Sequence, residues 1–112
     1  MKCVIAFIQP QYVERVLEAL DRLPVRGLSL CEVRGFGRGR AQLLRESPAG
    51  AVRQFSVKVR LEIVCRDAEA ETIARTIQRA AHTGRPGDGK IFIAPIERAI
   101  SIVTGEEDDA AL

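Results

Sequence analysis

The chain has 112 residues, of which 46% are hydrophobic and 29% are charged, a composition typical of one soluble globular domain. Its formal net charge of +2 is too small to indicate a nucleic-acid partner, and four Phe and one Tyr give no aromatic platform for stacking bases. Because the sequence contains no signal-peptide pattern and no apolar run long enough to span a bilayer, we expect a cytoplasmic protein.

The first third of the chain predicts a strand, a helix and a second strand. The apolar run Lys2–Ile8 is typical of a strand buried on both faces. Pro10 precedes a helical pattern, and Leu28–Val33 predicts the next strand. The helix has one buried face, because its apolar residues recur at the i, i+3, i+4, i+7 spacing: Val13, Val16, Leu17 and Leu20.

The second half repeats this order. Strict alternation of apolar and polar residues over Phe55–Cys65 predicts the clearest strand of the chain. A second helix follows, with Asp67 as its expected N-cap and Gly84 as its expected C-terminal cap. Ile91–Ile96 predicts a fourth strand, and the short apolar piece Ile100–Val103 suggests a fifth.

The order βαβ followed by βαβ predicts an α+β, ferredoxin-like domain, in which two helices cover one face of an antiparallel sheet. The other face of the sheet would be exposed, which indicates self-association. No periodicity holds between Gly39 and Gln54, so we expect a long loop at about residues 37–55 of a single domain.

The three cysteines are Cys3, Cys31 and Cys65, which are far apart, odd in number and each within an apolar, strand-like run. No CxxC pair is present, so the pattern favours buried thiols in a reducing compartment over disulfides or a metal site.

The stretch TGRPGDGKIFI, residues 83–93, is one residue short of a phosphate-binding P-loop motif. Four residues separate Gly84 from Gly89 and Lys90 follows, but Ile91 replaces the hydroxyl residue that would bind the metal. The context is also reversed, since a helix precedes the glycines and a strand follows them. Two interpretations remain: an anion-binding loop that uses backbone N–H groups and Lys90, or a helix-to-strand turn.

A second glycine-rich segment, RGFGRGR, spans residues 34–40. Its glycines permit close backbone approach, and Arg38 and Arg40 are suited to phosphate. The alternatives are a flexible basic loop and an RGG-like RNA contact. An enzyme is not indicated, because His82 is the only histidine and has no identifiable partner, and no metal-ligand spacing exists.

Four segments together resemble the PII nitrogen-regulatory signalling proteins, and the match covers essentially the whole chain. They are EVRGFGRGR at 32–40, KVRLEIV at 58–64, TGRPGDGKIFI at 83–93 and TGEEDDAAL at 104–112. The resemblance implies a non-enzymatic homotrimer that binds ATP or ADP in clefts between subunits. It also implies a long loop that engages a target protein, such as a membrane transporter or a metabolic enzyme, and no nucleic-acid partner.

In the family, both glycine-rich loops serve one nucleotide. The resemblance therefore places Gly37 and Arg38 on one side of the phosphates. It places Gly87, Gly89 and Lys90 on the other side.

Other positions match the family's adenine site and its 2-oxoglutarate site. Glu62 and Val64 flank the adenine in the family, as does Ser29, which stands where threonine is usual. Lys58 matches the lysine that reaches the 2-oxoglutarate carboxylate. The complete set assigned to the nucleotide site is Ser29, Gly35, Phe36, Gly37, Arg38, Lys58, Glu62, Val64, Gly87, Asp88, Gly89 and Lys90.

The chain also departs from the family pattern. Ser101 and Val103 replace two phosphate-binding arginines, which leaves the preference among ATP, ADP and AMP open. Gly39 replaces the glutamine that helps to hold magnesium and 2-oxoglutarate, so magnesium is optional and a 2-oxoglutarate response is not expected. Ala49 and Ala51 stand where other members are covalently modified. The alternative function is a trimeric protein-binding module without nucleotide control.

Overall fold

The computed structural model describes residues 1–36 and 55–112, and the positions Gly37, Arg38 and Gly39 lie outside them. Within these residues the strands are β1 (Lys2–Ile8), β2 (Ser29–Gly35), β3 (Ser56–Cys65) and β4 (Gly89–Pro95). The helices are α1 (Val13–Leu20), which follows a 3-10 turn at Pro10–Tyr12, and α2 (Asp67–Ala81), and a second 3-10 turn spans Asp108–Ala111.

The four strands form one antiparallel sheet in the order β2-β3-β1-β4. The predicted ferredoxin-like α+β fold is confirmed. The register places β1 in the middle, where Val4 faces Ile63 of β3 and Ile93 of β4. β2 and β4 are the edge strands, and β4 ends at Pro95, a residue that cannot donate to a ladder.

The core lies between the sheet and the helices. Alternate residues of the two central strands point toward the helices, as period two requires. The apolar stripes of both helices pack on them, and fully burying such a side chain contributes about 1.5–3 kcal/mol. The largest fully buried side chains are Ile8, Leu61, Ile63, Ile77, Val4 and Val16.

The opposite face of the sheet, called here the open face, is covered by neither α1 nor α2. Arg60 lies at its centre, where the guanidinium contacts the carboxylate of Glu62 at 2.5 Å and lies 5.6 Å from the ring centroid of Phe7. Phe7 packs edge-to-face on Phe92 of β4 with the ring centroids 6.2 Å apart. The open face therefore mixes charged and aromatic side chains.

The predicted fifth strand is wrong. Ile100 makes one isolated bridge with Glu107, and the chain between them turns back on itself. The Ser101 N–H donates to the Glu106 carbonyl at 2.9 Å, and the Gly105 N–H donates to the Ser101 carbonyl at 2.8 Å. These local bonds use the backbone groups that a strand would offer to a neighbour.

The expected caps of α2 are also displaced. The N-cap position is Arg66, whose N–H donates to the Glu69 carboxylate at 3.0 Å. Asp67 instead pairs with the amine of Met1 at 2.8 Å, and this hydrogen bond lowers the pKa of Asp67. At the other end the C-cap is His82, and Gly84 follows two residues later with a φ of +83°.

The cysteine prediction is confirmed for Cys3 and Cys65, which are buried, and burial raises the pKa of both thiols. It is wrong for Cys31, which is exposed. β2 is an edge strand, and the register pairs Cys31 with Arg60 on the open face. Among the described residues, neither helix combines the length and the apolarity needed to cross a membrane.

Candidate functional site

The segment that joins α2 to β4, residues 82–89, is called here the glycine loop. Gly84, Gly87 and Gly89 all have positive φ, at +83°, +99° and +113°. A Cβ on Gly89 would lie 1.8 Å from the carbonyl oxygen of Phe7, so β4 passes β1 too closely for any side chain there. The glycines therefore set the path of the loop and its distance from the sheet.

Asp88 closes the glycine loop from within. Its carboxylate accepts hydrogen bonds from the N–H of Thr83 at 2.7 Å, from the N–H of Gly84 at 3.0 Å and from the Thr83 hydroxyl. The Thr83 side chain, the Thr83 and Gly84 backbone donors and nearby His82 hold the pKa of Asp88 below its usual range. The carboxylate of Asp88 thus accepts from donors of the loop itself, which indicates that Asp88 fixes the shape of the glycine loop.

Lys58 and Lys90 bring positive charge to the same end of the sheet. The Lys58 ammonium donates to the Gly87 carbonyl oxygen, and so ties β3 to the glycine loop. Lys90, the second residue of β4, is exposed and faces Phe7 in the register. Since Lys58 and Lys90 share the open face, two cations and the glycine loop converge there.

The ends of β2 and β3 meet beside these lysines and are called here the stem: Gly35 and Phe36 on one side, Phe55 and Ser56 on the other. The Ser56 hydroxyl donates to the Gly35 carbonyl at 3.2 Å. The rings of Phe36 and Phe55 pack edge-to-face with centroids 6.1 Å apart. The stem flanks residues 37–54, so Gly37 and Arg38 follow directly from it.

The remaining predicted residues lie at the other end of the strands. Ser29 faces Glu62 in the register, and Val64 follows on the same face of β3. Glu62 lies four positions after Lys58 along β3, a distance of roughly 13 Å at the usual rise. One chain therefore brings the predicted residues together as two clusters on the open face, one at the glycine loop and one roughly 13 Å further along β3.

The turn that contains Ser101 and Val103 lies between Ile100 and Glu107, which form one isolated bridge. Arg98 anchors it through contacts to the carboxylates of Glu107 at 3.0 Å and Asp108 at 3.4 Å. The side chains of Ile102 and Val103 are 101% and 93% exposed. The turn thus presents apolar side chains.

A groove of about 420 Å³ lies between α2 and β4. It overlaps the predicted site only at the start of β4, through Asp88, Gly89 and Lys90, and its other walls are largely apolar. Because only Asp88, Gly89 and Lys90 of the predicted residues line the groove, we place the candidate site at the glycine loop and not inside the groove.

Sequence reasoning missed two residues of this site. Phe7 lies beside Lys90 on the open face, although the apolar run of β1 suggested burial on both sides. Thr83 supplies two of the donors to Asp88, a contact that only the folded loop creates. The side chain of Phe7 could have been assigned to the open face from the period of two. No comparable sequence pattern marked Thr83.

Within the described ranges, no group of side chains is suited to hold a metal ion.

Comparison with known proteins agrees with this architecture. The family model described as nitrogen regulatory protein P-II matches residues 1–106. The chain is 41% identical to nitrogen regulatory protein GlnK of Escherichia coli (strain K12) over 114 aligned positions, and 40% identical to nitrogen regulatory protein P-II of Azospirillum brasilense over 112, with all of each chain covered. The crystal structure of Arabidopsis thaliana PII bound to citrate superposes with a TM-score of 0.80 at 32% identity, covering 99% of this chain and 91% of that one. The chain therefore belongs to the PII family of nitrogen regulatory signalling proteins.

Proposed function

We propose that this PII protein binds an adenine nucleotide, ATP or ADP, in clefts between the subunits of a homotrimer and regulates a partner protein through residues 37–55. The observation that carries the proposal is the glycine loop, whose shape Asp88 fixes by accepting hydrogen bonds from Thr83 and Gly84, with Lys90 exposed beside it. Positive φ at Gly87 and Gly89 allows successive N–H groups to converge on an anion, and a lysine adds a point charge.

The separation of the two clusters supports a site shared between subunits. Glu62 lies roughly 13 Å from Lys58 along β3, with Ser29 and Val64 beside it, so in a shared cleft a second copy would bring these residues to the glycine loop. Trimers are typical of the family. The open face, with Phe7 and Phe92 packed against each other, offers a partly apolar surface for such an assembly.

The chemistry of the ligand follows from the cations present. The Arabidopsis relative binds citrate, a compact polyanion. Among the described residues, Lys58, Lys90 and Arg85 bring cations to the glycine loop, and the exposed turn has no cation at Ser101 or Val103. We therefore propose that ADP and AMP compete well with ATP. We also propose that 2-oxoglutarate, which lacks its glutamine partner at Gly39, has no effect, and that magnesium is optional.

The regulatory role rests on family membership and on the site. PII proteins are regulators, and we propose that this chain has no catalytic activity of its own. Its target would be a membrane transporter or a metabolic enzyme, met in the cytoplasm. Ala49 and Ala51 offer no hydroxyl for modification, so control would pass through the ligand alone.

Titration calorimetry with ATP, ADP and AMP, each with and without magnesium and 2-oxoglutarate, tests the proposal. We expect micromolar binding of at least one nucleotide. The variant Lys90→Met should bind at least about tenfold more weakly, because it loses a charge-assisted contact. Lys2→Met, at the far end of the sheet, is the matched control and should bind normally.

A second candidate function is a protein-binding module without nucleotide control. The exposed side chains of Ile102 and Val103 favour it, because an apolar turn suits a protein surface better than a phosphate. Absence of binding to all three nucleotides at millimolar concentration would establish this alternative over the nucleotide sensor.

A further inference from the structure

We propose that His82 sets the affinity of the glycine loop for anions according to pH, because its protonated ring offsets the negative charge of Asp88. This role rests on the proposed function, and it adds to the nucleotide site a residue outside the predicted set. The chain would then respond to pH as well as to nucleotide. His82 is the only histidine of the sequence, so one side chain would carry the effect.

His82 stands where α2 ends and the glycine loop begins. It is the C-cap of α2, and its ring nitrogen Nδ1 lies 3.8 Å from a carboxylate oxygen of Asp88. The other ring nitrogen, Nε2, lies 3.7 Å from where a Cβ of Gly84 would stand. The side chain is 60% exposed, so its ring exchanges protons directly with solvent. The imidazole therefore lies against the glycine loop and is open to titration.

Asp88 keeps its full negative charge at the glycine loop while His82 is neutral. The donors to its carboxylate are neutral groups of Thr83, of Gly84 and of Gln9, whose amide lies 3.5 Å away. Among the described residues, His82 is the one basic side chain within 4.0 Å of the carboxylate. At 3.8 Å the contact is too long for a hydrogen bond, so the neutral ring does not offset the charge.

The charge of this region changes through His82 in the range between about pH 5 and pH 8. Lysine and arginine stay charged throughout this range. Asp88 stays ionised, because hydrogen bonds from Thr83 hold its pKa below the usual range. On α2, Arg75 pairs with Glu71 at 3.0 Å, and these two charges offset each other. The other charged side chains on α2, the glycine loop and β4 near the ring are Arg79, Arg85 and Lys90.

Protonation of His82 changes the charge that an anion meets at the glycine loop. The imidazolium is attracted to Asp88, and its Nδ1–H becomes a charge-assisted donor to the carboxylate. The carboxylate would otherwise repel an anion held by the N–H groups of Gly87 and Gly89. Because linkage is reciprocal, a bound anion favours the protonated ring to the same extent as the protonated ring favours the anion. Anion affinity should therefore rise as the pH falls through the range in which histidine titrates.

Titration calorimetry with ADP at pH 8 and at pH 5.5, at constant ionic strength, tests this role in the untagged protein. The phosphates of ADP also titrate, so each affinity is compared with that of His82→Gln at the same pH. We expect the wild type to equal His82→Gln at pH 8 and to bind about threefold more tightly than it at pH 5.5, the effect of an exposed ion pair. His82→Arg, which is charged at both values, should exceed His82→Gln about threefold at both.

The matched control moves the histidine along the same helix. In His82→Gln/Thr72→His the ring lies about 15 Å from its natural position, beyond the Debye length of about 8 Å at physiological ionic strength. This double variant should bind like His82→Gln at both pH values. If it regains the pH dependence, or if the ratio between wild type and His82→Gln does not change with pH, the role of His82 is wrong.

A ligand-free measurement tests the contact between His82 and Asp88 by itself. NMR follows the ring of the single histidine together with the carboxyl carbon of Asp88. Because Asp88 stays ionised, its carboxyl resonance should shift between pH 8 and pH 5.5 in step with the ring, and should stay in place in His82→Gln. A carboxyl resonance that does not follow the ring would contradict the contact, whether or not ADP binds.

Sulfate separates this role from the proposed function. If ADP does not bind, the proposed function fails, and the pH series is repeated with sulfate, which remains a dianion throughout. Tighter sulfate binding at pH 5.5 than at pH 8 in the wild type, with no such change in His82→Gln, would still establish the role of His82. Equal pH dependence in both proteins, or no sulfate binding at all, would overturn it.

Discussion

Gly89 begins β4 beside β1 and has a φ of +113°. A Cβ at this position would lie 1.8 Å from the Phe7 carbonyl oxygen, so there is no space for a side chain. Gly89→Ala should therefore lower the free energy of unfolding by about 2–4 kcal/mol, because it adds both backbone strain and a clash with a main-chain atom. Gly27→Ala is the control, since a Cβ there meets nothing within 4 Å. Urea denaturation of both variants measures the difference, and equal stability would contradict the close approach.

Asp88 makes the glycine loop sensitive to acid. Hydrogen bonds from Thr83 hold its pKa below the usual range, so the folded chain prefers the ionised carboxylate. The resulting stabilisation is complete above the unfolded pKa of about 4 and is lost as pH falls through the lower folded pKa. Thermal unfolding between pH 6 and pH 3 should therefore show a steeper loss of stability in the wild type than in Asp88→Asn. Parallel curves would show that the carboxylate has no such role.

At the scale of the element, Ile63 and Ile93 form a natural comparison. Both face Val4 on the helix side of the sheet, yet Ile63 in β3 is 1% exposed and Ile93 in β4 is 40% exposed. Ile63→Ala should destabilise the chain by about 2–5 kcal/mol, and Ile93→Ala by less than half as much. Chemical denaturation of the two variants tests this, and similar losses would mean that β4 is covered as fully as β3.

The elements differ in how far their sequence predicts them. The alternation in Phe55–Cys65 and the helical spacing from Val13 to Leu20 predict β3 and α1 well, because burial of one face imposes a period. The apolar residues of Ile100–Val103 suggest a strand that does not form. In the part of the chain that the structure describes, their only pairing is the bridge between Ile100 and Glu107, which tertiary structure alone reveals. Asp67 is not the cap of α2 because the amine of Met1 competes for its carboxylate.

The residues of the candidate site were predictable from the sequence, but most of their contacts were not. The glycines and Lys90 carry a recognisable pattern, and the structure gathers them at one end of the sheet. The inward orientation of Asp88 and the contact of Lys58 with Gly87 join positions that are distant in sequence or hidden within the loop. No local pattern encodes such contacts.

At the scale of the whole molecule, the two clusters predict that two variants, each defective in one cluster, restore nucleotide binding when they assemble in the same trimer. Lys90→Met and Glu62→Gln should each bind nucleotide poorly, since each would remove one half of every proposed cleft. Trimers mixed by co-expression should regain binding, because one cleft per mixed trimer joins an intact Lys90 to an intact Glu62. Calorimetry measures the recovered stoichiometry.

The control for this experiment is a mixture of Lys90→Met with the double variant Lys90→Met/Glu62→Gln, which cannot form an intact cleft. If the first mixture binds no better than this control, both clusters act within one chain and the shared site is wrong.

Glu62 lies roughly 13 Å from Lys58 along β3, which supports a site shared between two chains. The response to a ligand would then depend on the concentration of the protein itself. If a ligand needs two chains, binding and self-assembly stabilise each other by mass action. Dilution of the protein would then weaken its apparent affinity for the ligand. At the same nucleotide concentration, a smaller fraction of the protein would be bound in a cell that makes little of it than in a cell that makes much.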